Sequence, residues 1–473
     1  MVFSSVTFLT VFLPVTAVLY FIPNIFTLGK NSSVVIKYKN LILLAVSLMF
    51  YAWGEPRNII LMLLSIVFNF TVALHLDKYE KGKIQRRLLL CLSLFFNLGL
   101  LVFFKYSSFI AENIASVLGF ENSYVSPVLP IGISFYTFQI LSYVIDVYKE
   151  KSKVQKSLAD FALYISMFPQ LIAGPIVQYG QIEKELKSRT ESFSKVSEGL
   201  FQFIIGLFKK TVLANSCGAV FEEIIADGTG KLSLVSSWIA IIFYAFQIYF
   251  DFGGYSDMAI GLGNIFGFTF PQNFNHPYIA TSVTDFWRRW HITLSSWFRD
   301  YVYIPLGGNR CSVMRNIFNL FVVWSLTGLW HGASWNFILW GIYYFFLLIL
   351  EKYVLNRVIE IIPTIIRRIV TFIFVLFGWV LFSFTSLSDI YRFTLSLFGR
   401  NGIYSSSDLY MLYSNAAMLI IAGVISTGAF TFRRDGEKTA VKLCRYIISF
   451  ALLAVSVIYL IGDTYNPFLY FRF

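Results

Sequence analysis

Charge is scarce in this 473-residue chain, and it is absent over long blocks. Asp, Glu, Lys and Arg make up 14% of the residues, whereas 57% are hydrophobic. That balance excludes an ordinary soluble globular protein, in which about a quarter of the residues are charged. The charge-free blocks are 1–29, 40–54, 58–75, 88–104, 122–145, 161–182, 232–250, 369–388, 409–432 and 446–462.

Most of these blocks approach the 20 or so apolar residues that a membrane-spanning helix needs. A further block, 316–350, is too long for one crossing and predicts two segments that meet near His331. The stretch 199–221, interrupted by Lys209 and Lys210, is a weaker candidate. We therefore predict an all-α, polytopic membrane protein with about 11–13 membrane helices. It forms a single membrane domain over residues 1–473.

Several sequence signatures are also missing. The four cysteines are scattered, and their spacing predicts neither a disulfide framework nor a metal site. There is no P-loop, GxSxG elbow, HExxH or dinucleotide fingerprint, so chemistry driven by nucleotide, metal or a serine triad is unsupported.

No basic residue precedes Lys30, which favours an uncleaved first span over a signal peptide. The net charge of +12 lies in loops and indicates orientation and contact with anionic lipid, not nucleic acid.

The loop charges predict the orientation of the chain. Lys and Arg concentrate in 30–39, 77–87, 146–156 and 433–445, whereas 107–125 carries only two glutamates. Positively charged loops tend to stay in the cytoplasm. The N-terminus, residues 107–125 and the tail 463–473 are accordingly expected on the outer side.

His331 is the first candidate for chemistry. It lies inside a charge-free block, flanked by Gly328, Gly332, Trp330 and Trp335. An ionisable residue at membrane depth is a functional hypothesis by default, and a neutral imidazole can take a proton from a hydroxyl near neutral pH. The alternative is a histidine hydrogen-bonded between helices or at an interface.

The second candidate is the segment 285–310, which contains His291. Taken as one helix from Asp285 to about Tyr303, it predicts Trp287 and His291 near one face and most of its charges elsewhere. The arginines Arg288 and Arg289 could hold the phosphates of a charged donor through bidentate hydrogen bonds. The alternative is anchoring to lipid headgroups by Trp and Arg. The residues from Pro305 to Arg310 are predicted to form a turn.

Asp251 and Asp257 are acidic residues flanked by apolar sequence. Gly253 and Gly254 predict a break in the helix there, where an ion site is conceivable. Helix capping or pairing with an arginine is the favoured interpretation. His276 falls in a polar loop with an expected structural role, and His75 closes a span beside a basic loop.

Two segments carry a resemblance to a known family. WRRWHITLSSWFRDYVYIPLGGNR and LTGLWHGASWNFILWG resemble the signature regions of the membrane-bound O-acyltransferase (MBOAT) superfamily. The likeness is to its alginate and peptidoglycan O-acetyltransferase branch, more than to D-alanyl transfer proteins of teichoic acid synthesis. LPIGISFYTFQILSYVIDVYK, FPQLIAGPIVQY, YFDFGGYSDMAIGLG, NFNHPY and the closing FLYFRF are similar to the same branch. The signature core covers about residues 126–350.

The resemblance implies a helical fold around a funnel and tunnel, with interfacial amphipathic helices, in the bacterial cytoplasmic membrane. It implies that His331 is catalytic and that His291 is a second important position. Donor or tunnel-lining roles are expected for Trp287, Arg288, Arg289, Trp330 and Asn309. The donor would be acetyl-CoA, with no bound cofactor and no metal. A separate extracytoplasmic SGNH-hydrolase-like partner would complete transfer to a polysaccharide.

The first functional hypothesis is therefore an O-acetyltransferase with His331 as the base. A transporter or flippase of an acylated carrier is the alternative, and a structural subunit of a glycan exporter is a weaker third. The acceptor glycan, the acyl length, the oligomeric state and the existence of a covalent intermediate stay open at this point.

Overall fold

The structure, a computed structural model, describes residues 2–26, 32–121, 123–429, 439–462, 465–467 and 469. Every regular element in these ranges is helical. The first half contains α1 Leu13–Phe26, α2 Ser33–Gly54, α3 Ile59–Lys78, α4 Ile84–Leu101, α5 Ser107–Leu118, α6 Ile133–Tyr148, α7 Leu158–Ser166, α8 Phe168–Leu171, α9 Tyr179–Lys187 and α10 Phe193–Phe208. The rest contains α11 Asn215–Ile225, α12 Leu234–Ile265, α13 Val283–Arg289, α14 Ile292–Phe298, α15 Val313–His331, α16 Trp335–Ile349, α17 Asn356–Ile361, α18 Thr364–Ser383, α19 Leu387–Leu397, α20 Ser406–Ser426 and α21 Thr439–Gly462.

Short segments of tighter or wider helix adjoin several of these elements. A 3₁₀ turn covers Pro277–Ile279, and π-helical turns cover Phe8–Phe12, Val102–Tyr106, Lys209–Ala214, Arg299–Tyr303 and Leu350–Leu355. Serine side chains begin many of the helices by accepting a free backbone N–H of the first turn. Such caps are made by Ser32, Ser157, Ser282, Ser312 and Ser386.

Nine helical segments in the described part of the chain are long and apolar enough to cross a membrane. They are Ser33–Gly54, Ile59–Lys78, Ile84–Leu118, Phe193–Ile225, Leu234–Ile265, Trp335–Leu355, Thr364–Ser383, Ser406–Ser426 and Leu443–Gly462. The polytopic, all-α prediction is confirmed. The number is lower than the expected 11–13 because four candidates do not qualify. The block 1–29 forms only a shorter apolar helix, 122–145 contributes to the 16-residue α6, 161–182 is divided among short helices, and α15 in 316–350 is not among the nine.

The two segments predicted within 316–350 are present as α15 and α16, and they meet at His331 as expected. The weaker candidate around 199–221 is also helical, within the segment Phe193–Ile225. The orientation inferred from the loops stays a prediction. Residues 433–438 of one basic loop, and most of the tail 463–473, lie outside the described residues.

The chain divides into two compact units, Met1–Phe203 with Ser256–Pro271, and Ile204–Tyr255 with Gln272–Phe473. The first unit contains a buried polar network. Lys39 Nζ lies 2.9 Å from a carboxylate oxygen of Glu191. The Tyr20 hydroxyl donates to the other Glu191 oxygen at 2.6 Å and accepts from Nε of Arg189 at 2.9 Å. These contacts connect α1 and α2 to the segment that follows α9.

The second unit contains most of the tryptophans. Its core includes Trp287, Trp324, Trp340 and Trp379, packed with Tyr344 and many phenylalanines. Trp287 packs on Trp324, Trp340 and Tyr344 with ring centroids 4.6, 5.4 and 4.8 Å away. Aromatic pairs of this kind contribute about 0.5–1.5 kcal/mol beyond their buried area.

The predicted break at Gly253 and Gly254 is wrong, because α12 runs without interruption from Leu234 to Ile265. Gly254 has a different role. A Cβ atom built there would lie 2.7 Å from the carbonyl oxygen of Gly206 and 3.0 Å from the backbone nitrogen of Lys210. The missing side chain therefore allows two backbones to approach closely.

Asp251 is held in a buried ion pair. Lys210 Nζ lies 2.6 Å from its carboxylate, and both side chains are almost fully buried. The backbone N–H of Leu469 donates to the second carboxylate oxygen at 2.8 Å, and Lys210 also contacts the carbonyl of Pro467. Asp251 is thus paired, but with a lysine and not with the arginine that the sequence interpretation favoured. Asp257 lies 3.5 Å from the Gln202 amide nitrogen.

Replacing Lys210 should show how much stability is lost when the buried Asp251 carboxylate has no cation. We expect Lys210→Met to destabilise the protein by about 3–5 kcal/mol, because it leaves the Asp251 carboxylate buried without a cation. The double variant Lys210→Met with Asp251→Leu should recover much of that loss. Thermal unfolding in detergent micelles, followed by tryptophan fluorescence, measures both changes.

Lys187→Met is the matched control. Lys187 pairs with Glu183 at 2.7 Å, but its side chain is 59% exposed. An exposed pair contributes about 0–1 kcal/mol, so a small change is expected. Equal losses of thermal stability in Lys210→Met and Lys187→Met would contradict the importance of the buried pair.

Candidate active site

His331 is the last residue of α15 and is buried in an aromatic shell. The rings of Trp340, Phe382 and Trp330 lie 4.9, 5.2 and 5.1 Å from the imidazole centroid, all close to perpendicular. Phe337 lies farther away, at 6.5 Å. Such a shell excludes water and lowers the local dielectric, which strengthens the hydrogen bonds of a reacting group.

The position of His331 depends on a close contact between α15 and α16. A Cβ atom on Gly328 would collide with the carbonyl oxygen of Phe337, and one on Gly341 would collide with that of Trp324. Gly332, which follows His331 in extended conformation, would collide with the Phe337 ring if it had a side chain. Glycine therefore brings the two helices together on either side of the histidine.

His291 does not lie within a helix. The single helix predicted from Asp285 to Tyr303 is wrong: α13 ends at Arg289, Trp290 is extended, and His291 is left-handed with φ 44°. The cause is the polar loop that precedes α13. The backbone N–H of Ile292 donates to the Asn273 carbonyl at 2.9 Å, and that of Asn275 donates to the Arg289 carbonyl at 2.9 Å. Pairing with this distant loop replaces the helical hydrogen bonds.

The side chain of Asn273 defines the tautomer of His291. Asn273 Oδ1 accepts the backbone N–H of Thr293 at 3.2 Å and the Thr293 hydroxyl at 2.9 Å. A backbone N–H can only donate, so this atom is the amide oxygen. His291 Nδ1 lies 3.2 Å from the same oxygen and therefore carries the proton, which leaves Nε2 as an acceptor.

Burial keeps the His291 imidazole neutral. The side chain is about 1% exposed, and its ring packs on Phe252 at 4.7 Å and on Trp330 at 5.8 Å. Loss of hydration disfavours the charged form and lowers the pKa of His291 below its usual range.

Four of the seven candidate residues come together in one aromatic group. Trp330 contacts both His331 and His291, at 5.1 and 5.8 Å. Trp287 contacts Trp340, which in turn contacts His331. The two histidines are thus bridged by one indole ring.

The three other candidates occupy different surroundings. Arg288 is exposed. Arg289 pairs with Asp285 at 2.8 Å and donates to the Asn275 carbonyl. Asn309 is bound in a polar cluster of its own, where its amide oxygen accepts from Tyr303, Asn316 and Lys352. The turn predicted from Pro305 to Arg310 is present, with Gly307 and Gly308 at positive φ.

Two neighbours of the histidines were not singled out from the sequence. Asn273 is the fully buried asparagine of NFNHPY, a segment interpreted only as a polar loop. Trp340 lies nine positions after His331, across a break between helices, so helical periodicity could not pair them. The resemblance of NFNHPY to the O-acetyltransferase branch was the one available signal for Asn273.

The neutral state of His291 predicts how stability depends on pH. The folded-state pKa is lowered, so its stabilising contribution is present above the unfolded pKa of about 6.5 and is lost as the pH falls below it. Asn removes the titrating group and tolerates a positive φ. Between about pH 7.5 and about pH 5, we expect the unfolding temperature to fall less for His291→Asn than for the unmodified protein.

The same measurement at about pH 8 supplies the control, since His291 is neutral there in both the folded and unfolded states. Any difference at that pH reports lost packing or hydrogen bonding. Parallel pH curves for the two proteins would show that His291 does not resist protonation in the folded state.

Comparison with known proteins connects these features to a family. The family model described as MBOAT, membrane-bound O-acyltransferase family, matches residues 48–394. The chain is 34% identical to a probable alginate O-acetylase AlgI of Azotobacter vinelandii, over the whole of both chains. It is 36% identical to a peptidoglycan O-acetyltransferase of Helicobacter pylori, over 85% of this chain and 81% of the relative.

A more distant likeness covers less of the sequence. A teichoic acid D-alanyltransferase of Bacillus subtilis is 30% identical over 54% of this chain and 68% of its own length. The matched region 48–394 includes both histidines and the aromatic group around them. The chain belongs to the membrane-bound O-acyltransferase family.

Proposed function

We propose that this protein transfers an acetyl group from cytoplasmic acetyl-CoA across the bacterial cytoplasmic membrane, for O-acetylation of a cell-surface or extracellular polysaccharide. The observation that best supports this function is the pair of buried histidines whose rings both contact Trp330. The acetyl group and the polysaccharide class are proposed from the names of the relatives, an alginate O-acetylase and a peptidoglycan O-acetyltransferase. An exported SGNH-hydrolase-like protein is the proposed partner that completes the transfer.

His331 is the proposed general base. It would accept the proton of an attacking hydroxyl as the oxygen adds to the thioester carbonyl, and would return it to the departing thiolate. Its burial among aromatic rings favours this role, because a site that excludes water strengthens the hydrogen bonds of a reacting group. His291, held neutral by burial, is proposed as a second polar group on the donor side.

The transporter hypothesis drew on the polytopic architecture and on a helix broken by glycine near Asp251 and Asp257, as in carriers with unwound spans. The first feature suits both functions, and the second is absent. Here α12 is continuous, and Asp251 is bound by Lys210 and by the Leu469 N–H. Covalent turnover remains the measurement that separates the two functions, because a carrier releases no free CoA.

The test of the proposed base uses inverted membrane vesicles that contain the protein and its candidate partner, with acetyl-CoA labelled in the acetyl group. We expect His331→Gln to lower CoA release and label in alkali-labile esters by about 10²–10⁴-fold. Gln retains polarity and similar size, so the thermal unfolding temperature should change little.

His75→Gln is the control for this variant. His75 lies near the end of α3, where its Nδ1 contacts the Thr71 carbonyl at 2.8 Å. Its activity should match that of the unmodified protein. Full activity in His331→Gln would contradict the assignment, and label that crosses the membrane without CoA release would favour a carrier.

Arg288 is the proposed contact to the phosphates of the donor, since it is exposed while Arg289 is already paired with Asp285. A hydrogen bond to a charged group contributes about 1.5–3 kcal/mol, so Arg288→Ala should raise KM for acetyl-CoA by roughly tenfold or more. The value of kcat should change little, because the contact is the same in ground and transition states.

Arg57→Ala, which removes an exposed arginine in the other unit, serves as the charge control. Initial rates over a range of acetyl-CoA concentrations give both constants. An unchanged KM in Arg288→Ala would contradict the donor contact and favour anchoring of Arg288 to lipid headgroups.

A further inference from the structure

Buried hydrogen-bond donors cluster around Trp340, whose ring contacts His331. Trp340 and Tyr344 are at most 1% exposed, and Trp287 is 7% exposed. Within the described part of the chain, the indole N–H groups of Trp287 and Trp340 and the Tyr344 hydroxyl have no hydrogen-bond partner. A buried donor without an acceptor costs about 1–3 kcal/mol. An aromatic ring of the same shape without the donor would fill the same space at no such cost.

Trp340 is the member of this group in contact with the proposed base. Its ring centroid lies 4.9 Å from that of His331, with the two planes 80° apart. Trp287 and Tyr344 also pack on Trp340, with ring centroids 5.4 and 5.1 Å away. The indole that contacts the imidazole therefore carries its unpaired N–H donor in a buried aromatic environment.

The backbone around Trp340 is held firmly. Its neighbour Gly341 forms the close contact with the Trp324 carbonyl that joins α16 to α15. His331 closes α15, so the same helix contact positions both the base and the donor. Preorganised donors in a site of low dielectric stabilise developing charge well, because they need no reorganisation during the reaction.

We propose that the Trp340 indole N–H donates a hydrogen bond to the oxyanion formed during acetyl transfer, which makes Trp340 a catalytic residue. This inference rests on the proposed acetyltransferase function. The attacking hydroxyl oxygen forms a bond to the thioester carbonyl carbon, and its proton moves to His331. The carbonyl π electrons move onto oxygen, where the indole N–H stabilises the negative charge.

In the second half of the step the oxyanion breaks down and His331 returns to its neutral form. The oxyanion reforms the C=O bond, the C–S bond breaks, and the CoA sulfur leaves with the electron pair. His331 then gives its proton to that sulfur. The products are an O-acetyl ester and CoA thiol, and Trp340 keeps its proton throughout.

The test removes only the N–H group. Trp340→β-(3-benzothienyl)alanine replaces the indole nitrogen with sulfur in a ring of nearly the same shape, and Trp340→Phe is the simpler variant. We expect kcat to fall by about 10²–10³-fold, as when one oxyanion donor is deleted elsewhere. KM for acetyl-CoA should change less than about threefold, because the interaction forms only in the transition state. The unfolding temperature should be equal or higher, since an unpaired buried donor is removed.

Trp379→Phe is the matched control. Trp379 is as buried as Trp340 in the same aromatic core, but it packs on Phe286 and Trp290. Its activity should stay within about threefold of the unmodified protein, well short of the loss expected for an oxyanion donor.

Each outcome decides the matter. Absence of labelled transfer by the unmodified protein with its partner would overturn the proposed function and this inference together. Normal transfer by that protein, with kcat of the benzothienyl variant within threefold, would overturn only the role of Trp340. A rise in KM without a fall in kcat would also overturn it, since the N–H would then serve binding. If Trp340→Phe unfolds, the benzothienyl variant, which keeps the ring volume, decides alone.

Discussion

A charge can be buried in this chain only where an opposite charge or a main-chain group meets it. Neither lipid nor a packed interior supplies water, and removing an ion from water costs several kcal/mol even after relaxation. Lys39 with Glu191 in one unit, and Lys210 with Asp251 in the other, meet this requirement. Each pair also collects further hydrogen bonds, from Tyr20 in the first case and from the backbone of Leu469 in the second. The helices that contribute these groups are therefore connected by contacts that hydrophobic packing alone would not specify.

His331 is surrounded by aromatic rings. The donors of Trp287, Trp340 and Tyr344 in the adjoining group are unpaired within the described residues. Each unpaired buried donor costs stability that a ring of the same shape without the donor would not. A protein that keeps costly donors next to a titratable residue has a reason of function, because violations of local rules concentrate where chemistry occurs. At the two buried ion pairs, in contrast, each charge meets an opposite charge.

The helical, membrane-spanning character could be predicted from the sequence because a span needs only a local property, a long run without charge. The meeting of α15 and α16 at His331 followed in the same way. What failed depended on residues far apart in the chain. Gly254 suggested a break, whereas its lack of a side chain serves contact with Gly206. The helix expected across His291 is interrupted by backbone hydrogen bonds with Asn273, which accepts, and Asn275, which donates. No periodicity within 285–303 indicates that the segment pairs with this loop. The cation of Asp251, 41 positions earlier in the sequence, was equally beyond a local pattern.

The broken helix also explains how the His291 imidazole is oriented beside the Trp330 indole. A single helix through residue 291 would have left the imidazole without a defined partner. The break instead lets Asn273 bind the chain twice, through its carbonyl to the Ile292 N–H and through its side chain to His291 Nδ1. The tautomer of His291 is thereby fixed and its charge is suppressed by burial. His331, in contrast, is the last residue of the 19-residue helix α15 and packs against the rings of Trp340 and Phe382. The left-handed backbone at residue 291 is the local cost of holding the His291 imidazole neutral and oriented.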